Sequence, residues 1–166
     1  MRKNTFGNKK KIEFLKVLPD STIEGGDLSG RCKFNFSYFD ANQAAGQDFP
    51  VWSHGELIKL LEKIKHYTNH PLEYWRTERC GSGGLTIYAN YKKFPKKSGF
   101  SHPKHVPHDV EWARFRLENI VRLVGFVIPS KLHQTYDEKT GFHYDSNTFY
   151  VVFLDKEHKF YISENA

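Results

Sequence analysis

Three arginines, two tyrosines and a histidine toward the C-terminal end of the chain are the residue types that metal-free cleavage of RNA requires. Arg114 and Arg116 stand two apart, Arg122 opens the next apolar run, and Tyr150, His158 and Tyr161 follow. Cutting an RNA strand without a metal needs a base for the 2′-hydroxyl proton, cations for the phosphorane charge and an acid for the departing oxygen. If the segment forms an antiparallel meander, these six catalytic candidates meet on the sheet face that no helix covers. The ordinary alternative is arginines on an exposed sheet face, a histidine in a turn and two packed tyrosines.

A second set of residues is suited to binding. The net charge of +6 is uneven: residues 1–16 hold six Lys or Arg against Glu13, and residues 88–108 hold five Lys and no acid. The remaining residues carry 14 bases and 18 acids, so the basicity belongs to a tail and a loop. Clustered cations attract phosphate without regard to sequence. The loop also interleaves rings with its charges, with Tyr88, Tyr91, Phe94 and Phe100 set among Lys92, Lys93, Lys96, Lys97 and Lys104. Aromatic faces stack on unpaired bases while ammonium groups hold the backbone. The nucleic-acid candidates are therefore Lys9, Lys10, Lys11, Tyr91, Lys92, Lys93, Lys96, Lys97 and Lys104. The bland alternative is a solvated loop whose rings tuck beneath it.

His102, His105 and His108 recur at every third residue among Pro103 and Pro107. A polyproline segment turns once in three residues, so the imidazoles could point one way and seat a zinc ion with one position open. No carboxylate-rich helix accompanies them, so no cofactor is expected; the alternative use is phosphate contact beside the lysines. Glu157-His158-Lys159 with Asp145 upstream matches the bare spacing of metal-dependent nucleases, a pattern short enough to arise by chance. Cys32 and Cys80 lack Cys-x-x-Cys spacing and are read as reduced thiols.

The elements that must position these residues are legible in part. Length and composition fit one globular domain: 166 residues, 39% hydrophobic, with 14 Phe and 9 Tyr. Residues 1–18 read as a basic N-terminal arm, flexible over 1–11, and 31–166 as a single α+β domain. Lys33 to Phe39 alternates apolar and polar residues as a half-buried strand does. Ser53 and Glu56 have capping-box spacing ahead of Leu57, Leu60, Leu61 and Ile64, predicting a helix over 54–69. Pro71 suits the first turn of a short second helix. Leu85 to Tyr91 and Trp112 to Leu117 read as strands. Val121 to Ile128 is apolar on both faces, with Gly125 marking a bulge or close backbone approach. Thr148 to Leu154 is followed by a hairpin turn into Lys159 to Ile162. The fold class expected is α+β, an antiparallel C-terminal meander with one main amphipathic helix and a short second helix on one face.

The run Arg122-Leu123-Val124-Gly125-Phe126, with Phe149 through Tyr161, resembles a group of small bacterial proteins ending in a G-F and F-Y-V-V-[FW]-L-D-x-x-H-x-x-Y strand pair. That resemblance implies no activity. The order of helix, meander and hairpin is also similar to the RelE-type ribonuclease toxins, which implies a metal-independent endoribonuclease of a toxin–antitoxin or defence system. The leading expectation is an RNA-binding or polyanion-binding protein, with such catalysis as its enzymatic form. The rival is a protein-interaction module docking a small acidic partner. No apolar run approaches about 18 residues and no export signal opens the chain, so a cytoplasmic protein without membrane contact is expected.

Overall fold

The computed structural model of the chain describes residues 8–17 and 22–162. Its first element is helix α1, Lys9–Val17, in place of the flexible arm expected as far as residue 11. The segment lacks Gly and Pro, and Asn8 caps it by accepting from the Lys11 amide at 3.3 Å. Arg2 and Lys3 of the expected arm lie outside the described residues.

Strand β1, Lys33–Asn35, is shorter than the alternation suggests. The Asn35 side chain accepts from the Ser37 amide at 2.8 Å and turns the chain away from the sheet. Helix α2, His54–Tyr67, starts at the expected capping box: Ser53 Oγ accepts from the Glu56 amide and Glu56 accepts from the Ser53 amide. Leu60 and Tyr67 form its buried side, with Leu57 and Ile64 partly buried, whereas Leu61 is exposed. Helix α3, Leu72–Thr77, follows Pro71.

The segment read as one strand over 85–91 is divided. Strands β2, Arg79–Cys80, and β3, Leu85–Thr86, form a small ribbon, and β4, Tyr88–Lys92, enters the main sheet. Strands β5, Glu111–Arg116, and β6, Arg122–Val127, follow as antiparallel neighbours. A short hairpin, β7 Tyr136–Asp137 and β8 Phe142–His143, precedes β9, Thr148–Asp155. The five-stranded sheet has the order β1-β9-β6-β5-β4, antiparallel except that β1 runs parallel to β9 at the edge. The fold is α+β.

Strand β6 is buried along its whole length, as its two-faced apolar run requires. The register against β9 shifts at Gly125, where an added Cβ would lie 2.0 Å from the Tyr150 carbonyl oxygen. The sheet has a core on each face. Leu60, Tyr67 and Trp75 cover Ala113, Phe115 and Leu123 on one side. On the other, Phe100, Val106 and Phe160 cover Trp112, Val124 and Phe153. This second lid is the loop 93–110 together with the C-terminal segment, which explains why Lys159–Ile162 is no strand. The fully buried Asp155 accepts from the amides of Glu157, Lys159 and Phe160, and the Gly99 amide donates to Lys159 O at 2.8 Å. The chain is thereby turned across the face instead of back along the sheet. Among the described residues no helix is long and apolar enough to cross a membrane.

Candidate functional site

Alternation along β5 sorts its side chains. Ala113 and Phe115 point beneath α2, and Trp112 points to the opposite face. Arg114 and Arg116 share the parity of Trp112. In the register Arg116 stands opposite Arg122, whose own parity is that of Val124 on the same face. Like charges directly opposed across a strand pair repel, at a Cβ separation of about 5 Å.

Burial makes that concentration of charge expensive. Arg122 is 4% exposed and Arg114 8%. Nη1 of Arg122 donates to the carbonyls of Glu118, Asn119 and Val121 at 3.0, 2.9 and 2.9 Å. Arg116 donates to Asn119 O at 2.8 Å, and Arg114 to Thr86 O and Ile87 O at 2.8 and 3.0 Å. The Nε atoms of all three are buried without a hydrogen-bond partner. Among the described residues no carboxylate pairs with any of these guanidinium groups. Buried charges are ordinarily paired, so the cluster lacks a counter-anion. Burial first, then Arg116 and Arg114, push the Arg122 pKa down to about 10. Asp155 stands opposite Arg122 in the register and draws it the other way, with its oxygens committed to the three amides of the turn.

That turn carries His158 into the field of the cluster. His158 is exposed and holds a φ of 56°. Its pKa is lowered by partial burial and then by Arg122, with Asp155 opposing and Arg114 and Arg116 adding to the push. An imidazole ordinarily near 6.5 is then neutral at pH 7 and free to take a proton. The structure thus gathers Arg114, Arg116 and Arg122 on the face away from α2, with His158 within their electrostatic reach. Tyr161, 45% exposed, stacks on Tyr91 with centroids 4.9 Å apart and planes at 6°. Tyr150 is elsewhere. It lies five residues before Asp155 on β9, about 17 Å along the strand, stacked on Phe126 at 4.9 Å. Burial, Asp145 and Tyr38 raise its phenol.

The lysine loop runs beside the segment that leaves the cluster, joined to it by Gly99 N to Lys159 O and Ile162 N to Lys97 O. Lys93, Lys96 and Lys104 are exposed and form no ion pair with a described residue, whereas Lys92 pairs with Glu111 at 2.8 Å. The loop's rings are used in the lid: Phe100 is buried on Phe153, Phe94 packs edge-on to Trp112, and one face of Tyr91 is taken by Tyr161. Lys9, Lys10 and Lys11 are exposed on α1, and among the described residues no hydrogen bond or ion pair ties α1 to the sheet.

The three loop histidines do not converge. His102 and His108 stack at 4.5 Å, while His105 lies over Tyr38 with Nε2 3.1 Å from its carbonyl oxygen. A turn closed by Val106 N to Pro103 O breaks the threefold repeat on which a shared side depends. Among the described residues no group of three His, Cys, Asp or Glu could hold a metal ion. Sequence reasoning missed Asp155, although an aspartate directly after a strand and ahead of a turn is a recognisable amide acceptor. Compared with protein-family models, curated proteins and solved structures, the chain shows no match.

Proposed function

We propose that this protein binds RNA by seating a phosphate at the arginine cluster, with the lysine loop holding the flanking backbone. One observation carries the reading: three guanidinium groups share a sheet face, with their Nε atoms buried and unpartnered. A phosphodiester anion at the partly exposed Arg116 end of the cluster would supply the missing negative charge to the two buried guanidinium groups beside it.

The placement of His158 extends the reading to cleavage without a metal. Neutral His158 takes the 2′-hydroxyl proton as that oxygen attacks phosphorus. The guanidinium groups stabilise the phosphorane, and the 5′-oxygen leaves with a proton from the Tyr161 phenol, giving a 2′,3′-cyclic phosphate. The test is incubation of end-labelled single-stranded RNA with the protein in a metal chelator. Cyclic-phosphate ends that His158→Ala abolishes while RNA is still retained support cleavage, and retention with no product reduces the function to binding. In a toxin, expression arrests growth and Arg114→Ala or His158→Ala relieves the arrest.

A second reading is a module that docks an acidic protein. Its support is α1, where Ile12, Phe14, Leu15 and Val17 are exposed among lysines. Co-purification with an acidic protein and no nucleic acid would favour it.

A further inference from the structure

At the opposite end of the same sheet face, the β7–β8 hairpin and the sheet enclose a cleft of about 690 Å³. Its floor is the Phe126–Tyr150 stack, and Tyr38 stands edge-on to both rings at 5.0 and 5.8 Å. The walls are tied down. Gln134 N donates to Tyr144 O at 2.8 Å and Tyr144 N to Thr135 O at 3.0 Å, while Asp145 at the hairpin's root pairs with Lys33 at 2.7 Å.

The polar groups are acceptor-rich. Asp109, Asp137 and Asp145 line the cleft against a single cation, Lys139. Asp137 and Asp145 are already engaged by Thr140 and by Lys33 and Thr148. Asp109 is exposed and forms no ion pair with a described residue. Through Asp109, Val110 and Pro129 the cleft adjoins a second groove of about 400 Å³, lined by Lys93, Lys131 and His108 and by Lys92 paired with Glu111.

This division of charge is that of a nucleotide. A cleft with surplus carboxylates repels phosphate and favours a flat ring carrying N–H donors, while the adjoining lysines favour the phosphate. Unpaired bases are read in this way, by aromatic contact and by hydrogen bonds to their Watson–Crick edge. Guanine alone among the four RNA bases presents two adjacent N–H donors, N1–H and the N2 amino group, that one carboxylate accepts side by side. We propose that the cleft is a guanine pocket in which Asp109 accepts from that edge and Lys93 and Lys131 hold the attached phosphate. The proposal deepens the RNA reading by naming the base, and it rests on that reading for its role in a strand.

The test is calorimetric titration of the full chain with 5′-GMP, AMP, CMP and UMP, alongside retention of single-stranded RNA. The expected result is GMP binding about tenfold tighter than the other three. Asp109→Asn removes that preference, and Lys93→Ala with Lys131→Ala weakens all four alike. Because Asp109 is exposed, its substitution leaves the fold intact. No GMP binding in a protein that still retains RNA overturns the pocket and spares the RNA reading. A GMP preference that survives Asp109→Asn also overturns it. GMP binding without RNA retention keeps the pocket and removes the strand.

Discussion

Replacing Arg122 with methionine isolates the charge that the arginine cluster leaves uncompensated. Arg122 is 4% exposed, and burial with Arg116 and Arg114 lowers its pKa well below the ordinary guanidinium value, to about 10. At about 1.36 kcal/mol per unit, the charged form is disfavoured by about 3 kcal/mol. That penalty is present at every pH below about 10 and is relieved only as pH rises from there toward the ordinary guanidinium value, because the unfolded chain then binds more protons. Methionine removes the penalty and also removes the Nη1 hydrogen bonds to Glu118, Asn119 and Val121, worth about 2 to 3 kcal/mol as a charge-assisted group. The two nearly cancel, so in sodium chloride Arg122→Met unfolds within about 3 °C of wild type. In phosphate the two proteins diverge. An anion at about a hundred times its Kd adds about 2.7 kcal/mol to wild type, raising its Tm by about 5 to 10 °C. Arg122→Met shows only the general salting effect of phosphate. Calorimetry at matched ionic strength reads both numbers. Equal phosphate shifts in the two proteins would refute the reasoning, as would a loss of several kcal/mol in chloride.

Gly125→Ala drives a Cβ to 2.0 Å from the Tyr150 carbonyl oxygen in the centre of the sheet, and circular dichroism should show loss of cooperative folding, a penalty above about 4 kcal/mol. Ser53→Ala removes the acceptor for the Glu56 amide at the start of α2 and should cost about 1 kcal/mol, read in urea. His158 is depressed in the free protein, so an arriving phosphate raises its proton affinity and binding takes up a proton. RNA affinity should therefore rise as pH falls from about 7.5 to 5.5, and the rise should vanish in His158→Gln.

Much of the frame was legible because local rules decided it. The Ser53–Glu56 spacing sets the start of α2, and alternation puts Arg114 and Arg116 on one face whatever the partners of β5. Gly125 announces a close backbone approach before the strand pressing on it is known. What could not be read were the choices made by distant groups. Asn35 ends β1 through its own side chain, and the parallel pairing of β1 with β9 joins segments more than 100 residues apart. Asp155 turns the C-terminus across the sheet face, which removes the expected last strand and carries His158 to the arginines. Strand length separates Tyr150 from the set to which its residue type assigned it. The aromatic cleft draws its walls from four separate stretches of chain, and no spacing in the sequence signals it.

The central claim is that phosphates of a single strand lie on the arginine face. Its most direct test is the salt dependence of single-stranded RNA binding in wild type and in Arg116→Ala/Arg122→Met. Each neutralised phosphate contributes a slope of about −0.7 in log K against log salt for single strands. The account predicts a steep wild-type slope that becomes shallower by about 0.7 to 1.4 in the double variant. Parallel slopes, or a wild-type affinity indifferent to salt, would contradict it.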